Sequence, residues 1–430
     1  MTGGRPSGDL MADVTPPRDS ASTLAPRVVA LIPFVLAMLS MIGPFSIDTP
    51  FPAFARMGEE LAASTGQLQL VVTVYMLAFA AMSVFHGPLS DAIGRRPVIV
   101  GSLAVYGVAS VACAFAPTLG WLLVGRVVQG LAAGGSTIVS RTIIRDLFDG
   151  PEAQRLMSQV AVIFGMAPAI APIVGGLLIQ VGPWETVFWF MAALALVLLT
   201  VTVALLPESH PPERRVPLRV GEIVTGLVTV FRVPAFHRMA WAGTLVFGAQ
   251  FLYIGGAAIF VVDLLGEGEL DFWKLFVPMI GAMVVGSVVS GRLGRSWTSS
   301  RLVSVGYAVS TFGAVLGIVV ALTPAGEVLP WAVAGISFVA FGNGLAFPNI
   351  QLLMLDLVPT RRGAVMSAST FITLVFNAVS AAVVAPVAGR SVLGFAVAAA
   401  VSVLLGWGCW RWHQHAARRA VAAAAPTPGA

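Results

Sequence analysis

The sequence predicts an all-α integral membrane protein. Twelve transmembrane helices form two six-helix bundles, related by a pseudo-two-fold axis along the membrane normal. Three observations lead there. Charged residues make up only 10% of the 430 and hydrophobic ones 57%, whereas a soluble chain carries about 25% charged residues. Twelve apolar runs are of the length that crosses a bilayer as helix, about 20 residues. A polar stretch over 207–237 divides them six and six, and the two sets echo each other. The 45 glycines and 28 prolines are compatible with this class, because neighbouring membrane helices re-satisfy a backbone interrupted by either residue.

Residues 1–27 form a polar, Pro-rich N-terminal tail, and no cleavable signal peptide is expected, since the first apolar run is too long for one. An N-terminal six-helix bundle follows over 28–206, with spans near 28–54, 68–87, 98–116, 121–144, 156–181 and 185–206. The central segment 207–237 is polar. The C-terminal bundle covers 238–411, with spans near 238–262, 273–294, 301–323, 329–355, 363–387 and 391–411, and a tail closes the chain over 412–430.

Arginine placement fixes the orientation. With both termini and the central segment cytoplasmic, 21 of the 25 basic residues lie inside, only Arg56, Lys274 and Arg390 lie outside, and Arg126 falls within a span. Short loops rich in Arg stay cytoplasmic. The net charge of +5 is therefore a topology signal, and no nucleic-acid partner is expected. Cys113 and Cys409 stand in apolar runs and form no metal or disulfide pattern. Two inert thiols are the simpler reading, although a pairing is open on sequence grounds. No metal and no cofactor is expected.

The repeat is visible after the fourth and tenth spans. Arg145-Asp-Leu-Phe-Asp-Gly-Pro-Glu-Ala-Gln-Arg-Leu-Met-Ser158 matches Leu355-Asp-Leu-Val-Pro-Thr-Arg-Arg-Gly-Ala-Val-Met-Ser367, with Asp146 and Asp356 210 residues apart. Gly87-Pro-Leu-Ser-Asp-Ala-Ile-Gly-Arg-Arg96 has a weaker echo in Ser290-Gly-Arg-Leu-Gly-Arg295. Equivalent loops face the same side, which makes the repeat parallel and favours a rocking two-domain transporter.

Three elements carry chemistry. In the loop from Gly87 through Asp91, Gly94, Arg95 and Arg96 to Pro97, Gly and Pro are expected to close a tight turn, while Asp and Arg pair across the cytoplasmic surface. The fourth span holds Arg126-Val-Val-Gln129-Gly130, and the fifth holds Gly165-Met-Ala-Pro168-Ala-Ile-Ala-Pro172-Ile-Val-Gly175-Gly176. There the small residues allow close helix approach and the prolines bend the helix. The first two resemble the cytoplasmic-loop and Arg-x-x-Gln-Gly motifs of the major facilitator superfamily. The third is similar to the antiporter motif of its drug exporters, with Ala171 in place of a glycine. Ser46-Ile-Asp48-Thr-Pro50-Phe-Pro52-Ala53 is similar to an element of the bicyclomycin-resistance and chloramphenicol/florfenicol exporters, a group within the twelve-span drug:proton antiporters. Pro50-Phe51 replaces that group's Tyr-Leu, and its last Pro has no match beside Arg56. The resemblance implies a conformational gate at Gly87, Asp91, Gly94, Arg95 and Arg96, locking the halves in the outward-facing state. In that state Asp91 could sit at the positive end of the eleventh helix, near Arg362.

Asp48 is the one acidic residue well inside a predicted span, and Arg126 the one basic residue. An ionisable group in hydrocarbon is costly and marks a pathway. Asp48 and Arg126 are accordingly the proton-coupling candidates, although each also has a structural reading: a helix-end cap for Asp48, and hydrogen bonds to Gln129 or to carbonyls for Arg126. Tyr75, Met76, Gln129, Phe164, Gln250, Tyr253, Asn349 and Asn377 are candidates for a largely apolar substrate pocket with a few polar groups; each serves equally well as interhelical glue. His86, at the end of the second span, is read as interfacial and passive.

No nucleotide-binding loop, zinc-protease motif or nucleophile elbow is present, so an enzyme is not expected. The resemblance implies a secondary active exporter that exchanges small amphipathic compounds, antibiotics such as phenicols among them, for protons by alternating access. It would act as a monomer in the bacterial cytoplasmic membrane. A proton-coupled or facilitative importer of a small metabolite shares the fold and the first two motifs, and directional flux separates the two.

Overall fold

The computed structural model describes residues 26–148, 150–268 and 270–424. The expected N-terminal tail therefore lies almost wholly outside the described residues, as do Asp149, Glu269 and the side chains of Ser158 and Phe164, whereas the expected C-terminal tail is described through 424 and continues the last helix. Long helices stand at all twelve expected places. The N-terminal six are α1 Pro26–Asp48, α2 Thr65–Ile93, α3 Arg95–Ala114, α4 Leu119–Leu147, α5 Gly150–Val181 and α6 Thr186–Leu205. The other six are α7 Pro234–Gly255, α8 Trp273–Leu293, α9 Ser299–Ala321, α10 Trp331–Leu355, α11 Arg362–Val379 and α12 Val392–Ala424. Among the described residues, ten helices are long and apolar enough to cross a membrane. An eleventh is counted if Val220–Phe231 and Pro234–Gly255 form one bent span, and Gly165–Val181 is the apolar part of α5.

Helix starts are marked by local chemistry. Ser64 caps α2 in a reciprocal box: its hydroxyl accepts from the Gln67 N–H at 3.3 Å, and its own N–H donates to Gln67 Oε1 at 2.9 Å. Thr118 and Thr298 accept in the same way from Trp121 and Arg301. Each cap satisfies a backbone donor that the first turn leaves unpaired.

The packing repeats with a shift of six helices. α4 is wrapped by α1, α2 and α3, and α10 by α7, α8 and α9; α3 lies on α6 as α9 lies on α12, and α1 on α5 as α7 on α11. The bundles meet chiefly along α2 with α11 and α5 with α8. The same six-helix shift exchanges these two contacts, which is what a two-fold relation between the bundles requires. Small residues carry the tight crossings: a Cβ on Gly130 of α4 would overlap the Tyr75 carbonyl of α2, and one on Gly344 of α10 would overlap the Met283 carbonyl of α8. Hydrophobic burial does not bring helices together in lipid, so such close packing does.

Several elements differ from the sequence reading. The first span is not one helix: α1 stops at Asp48, a 3-10 turn Phe51–Ala53 follows, and a short helix Phe54–Glu60 resumes. Pro50 and Pro52 interrupt the hydrogen-bond ladder there. The seventh and eleventh spans change to π-helix at Ile259–Leu264 and Ser380–Val384. Gly87 and Pro88 form no turn: α2 runs on through them to Ile93, and the chain reverses at Gly94. Hydropathy marks where the apolar stretch ends, and this helix continues past it. The central segment, read from the sequence only as polar, has structure of its own. It contains a surface helix, Val220–Phe231, bent 87° from α7.

Candidate functional site

The polar centre of the N-terminal bundle is built around Arg126 of α4. Its side chain is fully buried, and each of its nitrogens has a partner. Nε donates to the Val71 carbonyl at 2.9 Å, Nη1 to Gln129 Oε1 at 2.9 Å, and Nη2 to the Ser46 carbonyl at 2.7 Å. The guanidinium lies 4.4 Å from the centre of the Tyr75 ring, a favourable cation–π placement in a dehydrated site. Gln129 passes the network on, donating to Ser110 Oγ at 2.7 Å. Tyr75 donates to the Gly43 carbonyl at 3.1 Å, and the Ser46 and Tyr106 hydroxyls are hydrogen-bonded to each other. The charge thus ties α1, α2, α3 and α4 together.

Asp48 is 1% exposed and is the one carboxylate among the buried charged and polar side chains of the described residues. It stands at the last residue of α1, two positions from the Ser46 carbonyl that Arg126 holds, and its Oδ1 is buried without a hydrogen-bond partner. The Arg126 bonds named above do not include Asp48. With the 210-residue repeat spacing as the guide, the matching stretch of the seventh span is Gly255-Gly-Ala-Ala258, so the carboxylate belongs to one bundle only.

The helix bearing the Pro/Gly motif packs on this element. Ala167 and Ala171 of α5 cluster with Met41 and Phe45 of α1. A Cβ on Gly175 would overlap the carbonyl oxygen of Thr49, the residue after Asp48. Pro168 and Pro172 lie inside α5 and Gly176 is buried on it. Arg56, just beyond the break in the first span, donates to the Ile179 carbonyl at the C-terminal end of α5.

The other pocket candidates are not gathered around this centre. Met76 is fully buried on α2. Gln250 accepts from Asn343 at 2.7 Å and contacts Met283 sulfur at 3.4 Å, within the C-terminal bundle. Tyr253 belongs to an aromatic cluster, with ring centres 4.8 Å from Phe260 and 5.2 Å from Phe395. Asn349 donates to Ser290 at 2.7 Å. Asn377 Oδ1 and both side-chain polar atoms of Gln69 are buried without partners, on α11 and α2. These two helices are also bridged by the Thr73 hydroxyl, 3.4 Å from the Ala378 carbonyl. His86 is 2% exposed, wedged against Gly134 of α4. Cys113 and Cys409 are both free.

The turn between α2 and α3 is a second constellation. Gly94 has φ +106°, a conformation that L side chains rarely adopt, and a Cβ there would meet the Glu208 carboxylate at 2.5 Å. Glu208 accepts from the backbone N–H groups of Arg95 at 3.0 Å and Arg96 at 3.3 Å, so an anion sits on the positive end of α3. The Arg95 guanidinium pairs with Asp91, donates to Ser90 at 2.6 Å and pairs with Asp146 at 3.0 Å; Asp146 also accepts from Ser209 at 2.9 Å. Asp91 thus finds its partner within its own bundle, while Arg362 on α11 stands 3.9 Å from Asp356. Glu208, Ser209, Ser90 and Asp146 were not among the expected gate residues. The Glu-Ser pair that follows the sixth span is the signal that could have found two of them.

Residues 35–383 match the family model described as Major Facilitator Superfamily. The chain belongs to the major facilitator superfamily. Membership makes it a multi-pass membrane transporter and not an enzyme. This facilitator is 25% identical over 351 residues to a bicyclomycin resistance protein homolog of Haemophilus influenzae, covering 81% of this chain and 87% of that one. It is 31% identical over 263 residues to the uncharacterized MFS-type transporter YdgK of Bacillus subtilis, covering 61% and 65%. A stretch of 173 residues is 34% identical to the multidrug resistance protein MdtL of Escherichia coli, covering 40% of this chain and 44% of that one. The match thus spans less than two thirds of the length of YdgK and of MdtL. Among solved structures, the fold resembles a bacterial homolog of the human lysosomal transporter Spinster, in an inward-facing and unoccupied conformation (TM-score 0.71, 14% identity, 92% of this chain and 98% of that one). It also resembles the human organic anion transporter MFSD10 (TM-score 0.66, 17% identity, 90% and 100%).

Proposed function

We propose that this facilitator exports small amphipathic compounds, antibiotics among them, in exchange for protons by alternating access. The observation that carries the reading is Asp48: a buried carboxylate with an unpartnered oxygen, at a helix break on which the Pro/Gly-motif helix packs. Proton exchange needs one group that alternates between neutral and charged forms as its surroundings change. Burial favours the neutral carboxyl, whereas water or a cation favours the charged one. Arg126 of α4, which donates to the Ser46 carbonyl of the helix that ends at Asp48, supplies fixed positive charge. The names of the Haemophilus and Escherichia relatives, a bicyclomycin resistance protein homolog and a multidrug resistance protein, support a drug-like substrate and export. Phenicols are the first compounds to test. Rocking is supported by bundles that meet chiefly along two symmetry-exchanged helix pairs. In this reading the protein works as a monomer in the bacterial cytoplasmic membrane, with both termini and the central segment cytoplasmic.

Susceptibility of a sensitive host, with and without the chain, identifies a transported compound. Its flux in everted vesicles then tests the direction. An acid lumen should drive accumulation, and collapsing the gradient should stop it. Accumulation in right-side-out vesicles instead, or flux indifferent to the gradient, overturns proton-driven export.

A further inference from the structure

The elbow between the surface helix and α7 borders a half-open cavity of about 290 Å³ whose lining includes Arg232, His237, Arg238, Trp241 and Trp412 and no carboxylate. We propose that it binds the phosphate headgroup of an anionic phospholipid of the surrounding bilayer. The guanidinium of Arg238 lies over the Trp412 ring at 5.4 Å, and its Nε is buried without a hydrogen-bond partner. A buried charged donor left unmatched is costly, and a phosphate oxygen is the acceptor that suits a guanidinium best. His237 is fixed at the rim, its Nε2 2.6 Å from the Phe231 carbonyl, and Arg232 beside it is exposed.

The surroundings point to a lipid rather than a free anion. The surface helix runs 87° to α7, so it lies along the membrane surface when α7 crosses it. Its Val220, Val224 and Val228 are exposed at four-residue intervals, presenting an apolar stripe. Trp241 and Trp412 are 39% and 63% exposed, as tryptophans at a bilayer interface are. A largely apolar cavity that two arginines border and two tryptophans line, at the end of a helix with an apolar stripe, matches a ligand with a charged head and greasy tails. The same surface helix packs on the start of α11, with Gly226 beside Arg361 and Ala364, so headgroup binding braces the elbow next to the interface between the bundles.

The test uses the full-length protein in neutral detergent and follows thermal unfolding. Dioctanoyl phosphatidylglycerol should raise Tm saturably. Dioctanoyl phosphatidylcholine and glycerol phosphate should not. R232Q/R238Q should need at least about tenfold more phosphatidylglycerol for the same shift, the loss of one good charge-assisted contact. Should that variant not fold, R232Q alone, at an exposed residue, should still show a weakened response. An equal rise with glycerol phosphate means a free-anion site, and an equal rise with phosphatidylcholine means non-specific solvation. Either result overturns the proposal, as does a variant that responds like wild type.

Discussion

Gly175 of α5 abuts the carbonyl oxygen of Thr49, so closely that a single Cβ would overlap it. The neighbour is backbone, not a flexible side chain, so it cannot swing aside. Any side chain at 175 must push α5 away from the break that carries Asp48. Overpacking of this kind costs about 1–3 kcal/mol. G175A should keep membrane abundance near wild type while lowering drug efflux severalfold, and G175V should lower it further. Efflux and abundance measured together check this, since equal efflux at equal abundance would show that the two elements need not touch.

Arg126 should not tolerate lysine. Its fork reaches two carbonyls and Gln129 while its plane covers Tyr75, and an ammonium cannot reproduce that geometry. R126K should abolish transport and R126A should also lower Tm, because each buried acceptor left unpaired costs about 1–3 kcal/mol. Thermal unfolding in detergent, beside transport in cells, reads both. An active R126K would reduce Arg126 to a simple positive charge.

At the turn between α2 and α3, Arg95 serves Asp91, Ser90 and Asp146 at once. D91N and R95A should each reduce transport without removing the protein from the membrane. R95A and D146N should be non-additive in Tm, with a coupling of about 0.5–3 kcal/mol. E208Q should weaken the cap on α3 and G94A should strain the turn. If D91N and R95A transport normally at wild-type abundance, the turn is a topology signal and not a gate.

The fold was legible because a bilayer imposes a simple rule on composition. Twelve apolar runs, the placement of the arginines and the paired Asp146 and Asp356 stretches led to the bundles and their repeat. Arg126 and Asp48 stood out for the same reason: a charge in an apolar run is rare. Their partners were not legible. The Val71 and Ser46 groups that hold Arg126 are backbone carbonyls, which every residue owns. Glu208 looked like one more charge in a polar segment until the fold placed it on α3. The surface helix escaped because arginines flank it at 219 and 232 and it is too short to span. The helical spacing of Val220, Val224 and Val228 was the signal available. Gln250 and Asn349 were read either as pocket residues or as interhelical glue, and each is hydrogen-bonded to a neighbouring helix of its own bundle, a partner that the sequence does not name.

The central claim is that Asp48 carries the proton, and Asp48→Asn tests it most directly. The amide keeps the shape and hydrogen-bonding capacity of the carboxyl but cannot titrate. In proteoliposomes with an imposed pH gradient, the variant should still bind a transported compound yet lose gradient-driven efflux. Efflux that keeps the wild-type dependence on the gradient would contradict the claim, and the proton would then pass through another group.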